Sequence, residues 1–175
     1  MHVPIQHIIG TVALIGLTIT IVLSYQIITD FLQSDLRHQQ LQQVAENVAI
    51  NLVEIGNLAN FGNSANGTMT RTLDLPVDLA GNAYMVGIVN DTSQGICYIN
   101  ASLVTNSHIS AMSIIPLQAN QSQIVLKTSE TGTLAGNQVI TYGSTIYGGA
   151  GSTVVWAWKG SGTTWAGIGR LNGGG

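Results

Sequence analysis

From Ile8 to Ile28 the chain reads IIGTVALIGLTITIVLSYQII, with no charged side chain, and no proline occurs from there as far as Gly56. About twenty apolar residues suffice to cross a hydrocarbon core of about 30 Å. Beyond the first acidic residue, Asp30, apolar positions recur at Leu32, Leu36, Leu41, Val44, Val48, Leu52 and Ile55. Those steps keep near one helical face, with polar residues between them. The pattern predicts one helix from about residue 5 to about 56, within a segment 1–58. Its first half is apolar all round, and its second half carries a stripe. This stretch sets what the rest of the chain is for.

A membrane anchor with a helical stalk accounts for the length alone. Three features point further, to helices packing among copies of themselves. Small and β-branched residues (Gly10, Thr11, Val12, Ala13, Gly16, Thr18, Thr20) let helices approach closely where lipid gives no hydrophobic drive. No Lys or Arg precedes Arg37, so the run lacks the usual basic flank. The stripe on the second half needs a partner other than lipid.

The Asn- and Gly-rich cluster GNLANFGNSANG, from Gly56 to Gly67, marks the boundary to a domain at 59–175. After it the period shortens. Runs of β-formers cover Thr68–Leu75, Tyr84–Val89, Ile96–Ile99, Ile109–Ile115, Gln123–Thr128, Gln138–Tyr142, Thr145–Tyr147, Thr153–Trp158 and Thr163–Ile168, separated by Gly and Asn turns. The expected class is α+β: a long N-terminal hydrophobic helix followed by an antiparallel β-sandwich of immunoglobulin-like kind. At 175 residues the chain holds this one helix and one such domain.

Only 7% of the residues are charged, where about 25% is usual, and neutral polar groups take their place. That suits a surface covered by neighbours or by sugar. A net charge of −3 with no basic cluster excludes nucleic acid as a partner.

Four Asn-x-Ser/Thr sequons start at Asn66, Asn90, Asn100 and Asn120, all after the helix, as candidate N-glycan acceptors on an outward-facing domain. His2, His7, His38 and His108 have no metal-site spacing, so no metal is expected. Asp74 and Asp78 flank Pro76, which breaks any shared helical face, and no nucleophile elbow or Cys–His context appears. Gly148, Gly149 and Gly151 lack the Lys and following helix of a phosphate loop. No cofactor and no enzymatic activity are expected. Trp156 and Trp158 alternate on one strand and so share a face, which with Trp165, Tyr142 and Tyr147 reads as packing rather than a sugar-binding face. The single Cys97, in an apolar run, reads as a small buried side chain.

The segment PIQHIIGTVALIGLTITIVLSYQI, with its Ile9-Gly10-Thr11 step, a long polar helix after it and a Gly-, Ser-, Thr- and Asn-rich β domain, resembles the amino-terminal part of archaeal type IV pilins and archaellum-type subunits. A second echo is LDLPVDLAGNAYMVGIV from Leu73 to Val89: a Leu-Pro turn, a Gly, then Tyr on a strand. Bacterial relatives carry a Glu near the mature amino terminus; Ile5 and Gln6 stand there instead, so no salt link from that position is expected. No basic leader precedes the apolar run, so the chain is expected to be either the mature form or one not processed that way.

The resemblance implies a structural subunit of an extracellular, adhesive filament, a helical homopolymer whose helix rests in the cell membrane before assembly. Ile9, Val12, Leu14, Leu17, Ile21, Leu36, Val44, Val48 and Leu52 are the expected filament-core residues. The competing expectation is a monomeric, membrane-anchored envelope protein that binds a surface partner. Packing of the stripe from Leu36 to Ile55 on other helices favours the filament, and packing only on its own sheets favours the anchor.

Overall fold

The computed structural model describes residues 5–61, 67–116, 124–128, 132–134, 140–149, 151–160 and 162–171. One helix, α1, runs Ile5–Phe61 and is followed, among the described residues, by strands alone. They are β1 (Thr68–Thr72), β2 (Tyr84–Asp91), β3 (Ile96–Leu103), β4 (Ser110–Ile115), β5 (Ile124–Leu126), β6 (Gly132–Leu134), β7 (Ile140–Gly143), β8 (Thr145–Tyr147), β9 (Thr153–Gly160) and β10 (Thr163–Leu171). The class is therefore α+β, a long N-terminal apolar helix followed by two sheets. The chain divides into two compact units, Met1–Leu36 and Arg37–Gly175, so the second half of the helix belongs to the β-rich unit.

In the first unit the helix keeps its hydroxyls for itself. Thr11, Thr18, Thr20, Ser24 and Thr29 each donate to the carbonyl four residues earlier, at 2.8–2.9 Å. A side chain so engaged presents its methyl or methylene outward, and no polar partner is needed where water is absent.

In the second unit one sheet has the order β1-β9-β10-β7-β6, and the other β4-β3-β2-β8. Every pairing is antiparallel except that of β5, which lies parallel to β10 at Thr164–Ala166. Since β9 holds one edge of β10 from Thr163 to Arg170, β5 and β7 divide its other edge. β6 is the strand absent from the sequence reading: three residues with a single large apolar side chain give no period to detect.

The main core joins the helix to both sheets. Leu41, Val44, Ala45, Val48, Ala49, Leu52, Ile55 and Ala59 share one buried cluster with Tyr84, Val86, Ile88, Ile99 and Leu103 of one sheet and Val155, Ala157, Ala166 and Ile168 of the other. The alanines explain how a helix fits there: small side chains among the large ones let the strands come close. At Gly56 an added Cβ would already touch Ile124 at 3.4 Å. Two polar contacts pin the end of this half. Arg71 pairs with Glu54 across the surface, and Lys159 Nζ donates to the Asn60 carbonyl at 2.7 Å. That places a cation on the last carbonyls of the helix, where the backbone dipole favours it.

The opposite face of the first sheet carries a smaller core of Ile140, Val154 and Trp156, packed with Leu134, Tyr142, Trp158, Trp165 and Leu171. Trp156 is 1% exposed. Its ring lies over Gly167, its ladder partner on β10, where a Cβ would come within 2.7 Å of the indole. Its indole N–H donates to the Ile168 carbonyl at 3.1 Å.

Candidate assembly surface

From Ile8 to Ile28 the helix of the first unit carries no charged side chain, and its large apolar side chains are exposed around its axis. Ile8, Ile9, Val12, Leu14, Ile15, Leu17, Ile19, Ile21, Val22 and Leu23 all lie at half or more of full exposure, as do Ile27, Ile28, Phe31, Leu32 and Leu36. The helix is long and apolar enough to cross a membrane, and its most apolar window has no buried residue. A helix apolar on all sides is stable only where lipid or other helices surround it. Association with a membrane, or service as a signal sequence, is what this surface supports directly.

The nine expected core-packing residues divide at the unit boundary. Ile9, Val12, Leu14, Leu17, Ile21 and Leu36 are exposed, whereas Val44, Val48 and Leu52 are buried in the chain's own core. The stripe from Leu41 onward thus packs on the chain's own sheets, and those three side chains are not on offer to another copy. The solvent side of the same half still shows Ile50, Leu58 and, at 86% exposure, Phe61. The sequence signal that separates the halves is Ala45, Ala49 and Ala59, small residues on the striped face that suit close packing on a sheet.

The Leu-Pro segment from Leu73 to Val89 forms a built corner. Leu73 and Leu79 are buried, and Leu79 and Asn82 exchange backbone hydrogen bonds of 3.0 and 3.1 Å. Asp78 accepts from Gly81 N at 2.9 Å, with Ala80 and Gly81 both in the left-handed region at φ 50° and 75°. Tyr84 then folds back so that its hydroxyl donates to the Pro76 carbonyl at 2.6 Å. Burial pushes the Tyr84 phenol up to about 12. Asp78 therefore holds a turn, and Asp74 is exposed.

The sequons sit in unlike places. Asn90 is exposed where β2 meets the hairpin, and Asn100 is half-buried in the middle of β3; Asn66 and Asn120 lie outside the described residues. At the hairpin Asp91 accepts from Ser93 Oγ at 2.5 Å, Ser93 N at 2.9 Å and Gln94 N at 3.2 Å. Those bonds, that from the Ser93 hydroxyl first, hold its carboxyl below the usual carboxylate range. Cys97 is buried, and its burial raises the thiol. Among the described residues no group of His, Cys, Asp and Glu is placed to hold a metal. The tryptophans pack, as their alternation indicates, with Trp156 enclosed and Lys127 Nζ 4.3 Å from the Trp165 ring centre.

Set against family models, curated proteins and solved structures, the chain matches none of them. A long apolar N-terminal helix followed by antiparallel sheets is compatible with a pilin-like fold.

Proposed function

We propose that the chain is the structural subunit of an extracellular filament similar to archaeal type IV pili, with surface adhesion as the filament's role. The observation that supports this is the helix of the first unit, apolar and exposed around its axis from Ile8 to Ile28. In the membrane, lipid covers that surface. On assembly, copies of the same helix replace lipid, and the small residues Gly10, Ala13 and Gly16 allow the close approach that such packing needs. A head-to-tail contact that does not close yields a helical fibre.

A second reading has its own observation. Because Val44, Val48 and Leu52 are spent inside the chain's own core, most of the apolar surface left for assembly lies on the first half of the helix. A single-pass anchor carrying a binding domain needs no more than that half. Electron microscopy of fibres sheared from producing cells, with peptide mass spectrometry of the fibre protein, separates the two. The filament reading expects this chain as the main fibre component. Finding it only in the membrane fraction overturns that reading and leaves the anchored one.

A further inference from the structure

On the second sheet, side chains alternate between the core and the outer face. Tyr84, Val86 and Ile88 point inward, as do Ile99, Ala101 and Leu103. That sends Gly87 and Asn100 outward, and the ladder pairs Gly87 with Asn100 on one side and Thr145 on the other. The row Thr145–Gly87–Asn100 therefore has no side chain at its centre. A Cβ at Gly87 would sit 3.2 Å from the Ser144 carbonyl and 3.3 Å from the Thr145 hydroxyl, so a side chain there would crowd both. Glycine within a strand often marks a place where another molecule comes close to the backbone.

A hollow of about 390 Å³ opens at this point, and Asn90, Asn100, Ser102, Thr128, Ser144 and Thr145 supply its polar lining. Such a volume lies within the range of small-molecule sites, about 300–1,000 Å³. Among the described residues, none that lines the hollow is ionisable. A charged ligand would lose hydration and find no counter-charge among these residues. A purely apolar ligand would strip water from amides and hydroxyls and leave them unpaired. What matches is a ligand that both donates and accepts at several points without charge, and that has a C–H face for Met85 and Val89 on either side of Gly87.

We propose that this hollow binds a neutral sugar ring. The site stands whether the chain polymerises or remains anchored, so it does not depend on the filament reading; it gives chemical content to the adhesive role. The sugar has two sources, a glycan on the chain's own Asn90 or Asn100, both at the hollow, or a saccharide of another surface.

The test is saturation-transfer NMR on the full chain in detergent, made without glycosylation, with glucose, mannose, galactose and N-acetylglucosamine in turn and glucuronate as the charged control. The expected result is transfer from at least one neutral sugar at an affinity of about 1 mM, weakened roughly tenfold or more in Thr145→Val. Thr145 is exposed on a strand where Val is of equal shape, so the fold survives the change. The same chain from its native source, examined by peptide mass spectrometry, assigns the origin. A glycan on Asn90 or Asn100 with loss of the free-sugar signal makes the ligand the chain's own; a signal that persists makes it external. Absence of transfer from every neutral sugar, equal transfer from glucuronate, or undiminished transfer from Thr145→Val overturns the proposal.

Discussion

Gly167 and Tyr84 show how single positions hold this fold. The Trp156 indole occupies the space that a side chain at 167 would need, with the nearest ring atom 2.7 Å from an added Cβ. Gly167→Val must displace a large buried ring whose N–H is already bonded. It is expected to cost about 1–3 kcal/mol, the range for overpacking, read by chemical unfolding of the detergent-solubilised chain. At Tyr84 the hydroxyl that reaches Pro76 titrates near 12, above the value of about 10 for an exposed phenol. The folded state therefore keeps its proton longer than the unfolded chain does. Stability from this group is complete below pH about 10 and is lost as pH rises toward and through the folded value. Tyr84→Phe is expected to lower stability at neutral pH by about 1 kcal/mol, and to flatten the fall above pH about 10. An unchanged alkaline slope in that variant would show that another group sets it.

At the scale of elements, one helix serves two environments. Leu52 is fully buried between the sheets and Ile50, two residues away, is exposed. Leu52→Ala is expected to cost about 2–5 kcal/mol, while Ile50→Ala stays within about 0.5 kcal/mol, both measured by unfolding of the same chain. Equal effects would mean that the helix is not seated as described. The helix itself was legible because its period is long and unbroken. So were most strands, and the face shared by Trp156 and Trp158 comes from alternation alone. Three things were not. β6 is too short to show a period. The parallel pairing of β5 with β10 depends on contacts distant in sequence, which no local pattern encodes. β3 runs on past Ile99 to Leu103 because Ala101 and Leu103 continue the inward alternation. Asn100 and Ser102 between them read as loop residues by type alone. That third miss concealed the hollow at Gly87, since a strand ended at Ile99 gives Asn100 and Ser102 no place on the sheet beside it. The alternation Ile99-x-Ala101-x-Leu103 was the available signal.

For the whole molecule, the proposed assembly turns on what would replace lipid around the first half of the helix. A charge there is costly in either setting: Asp at the centre of a spanning helix costs about 2.5–3.5 kcal/mol in insertion, and among packed helices it lacks a counter-ion. Leu14→Asp is accordingly expected to abolish filaments while the β-rich unit keeps its fold, monitored by microscopy and by circular dichroism of the purified chain. Normal filaments from that variant would sink the assembly model. Leu14→Ala asks a finer question, because lipid and a helical core respond to it differently. An apolar run of about twenty residues loses little drive for insertion when one Leu becomes Ala. A packed core loses the removed methyl groups and keeps a cavity, a cost of about 2–5 kcal/mol in each subunit. In a polymer that loss recurs at every copy. Leu14→Ala is therefore expected to leave the amount of membrane-bound chain unchanged and to yield fewer, more easily broken fibres. Wild-type fibre yield and strength from Leu14→Ala would mean that Leu14 faces lipid or solvent in the assembled state, and that the helix contacts lie on another of its faces.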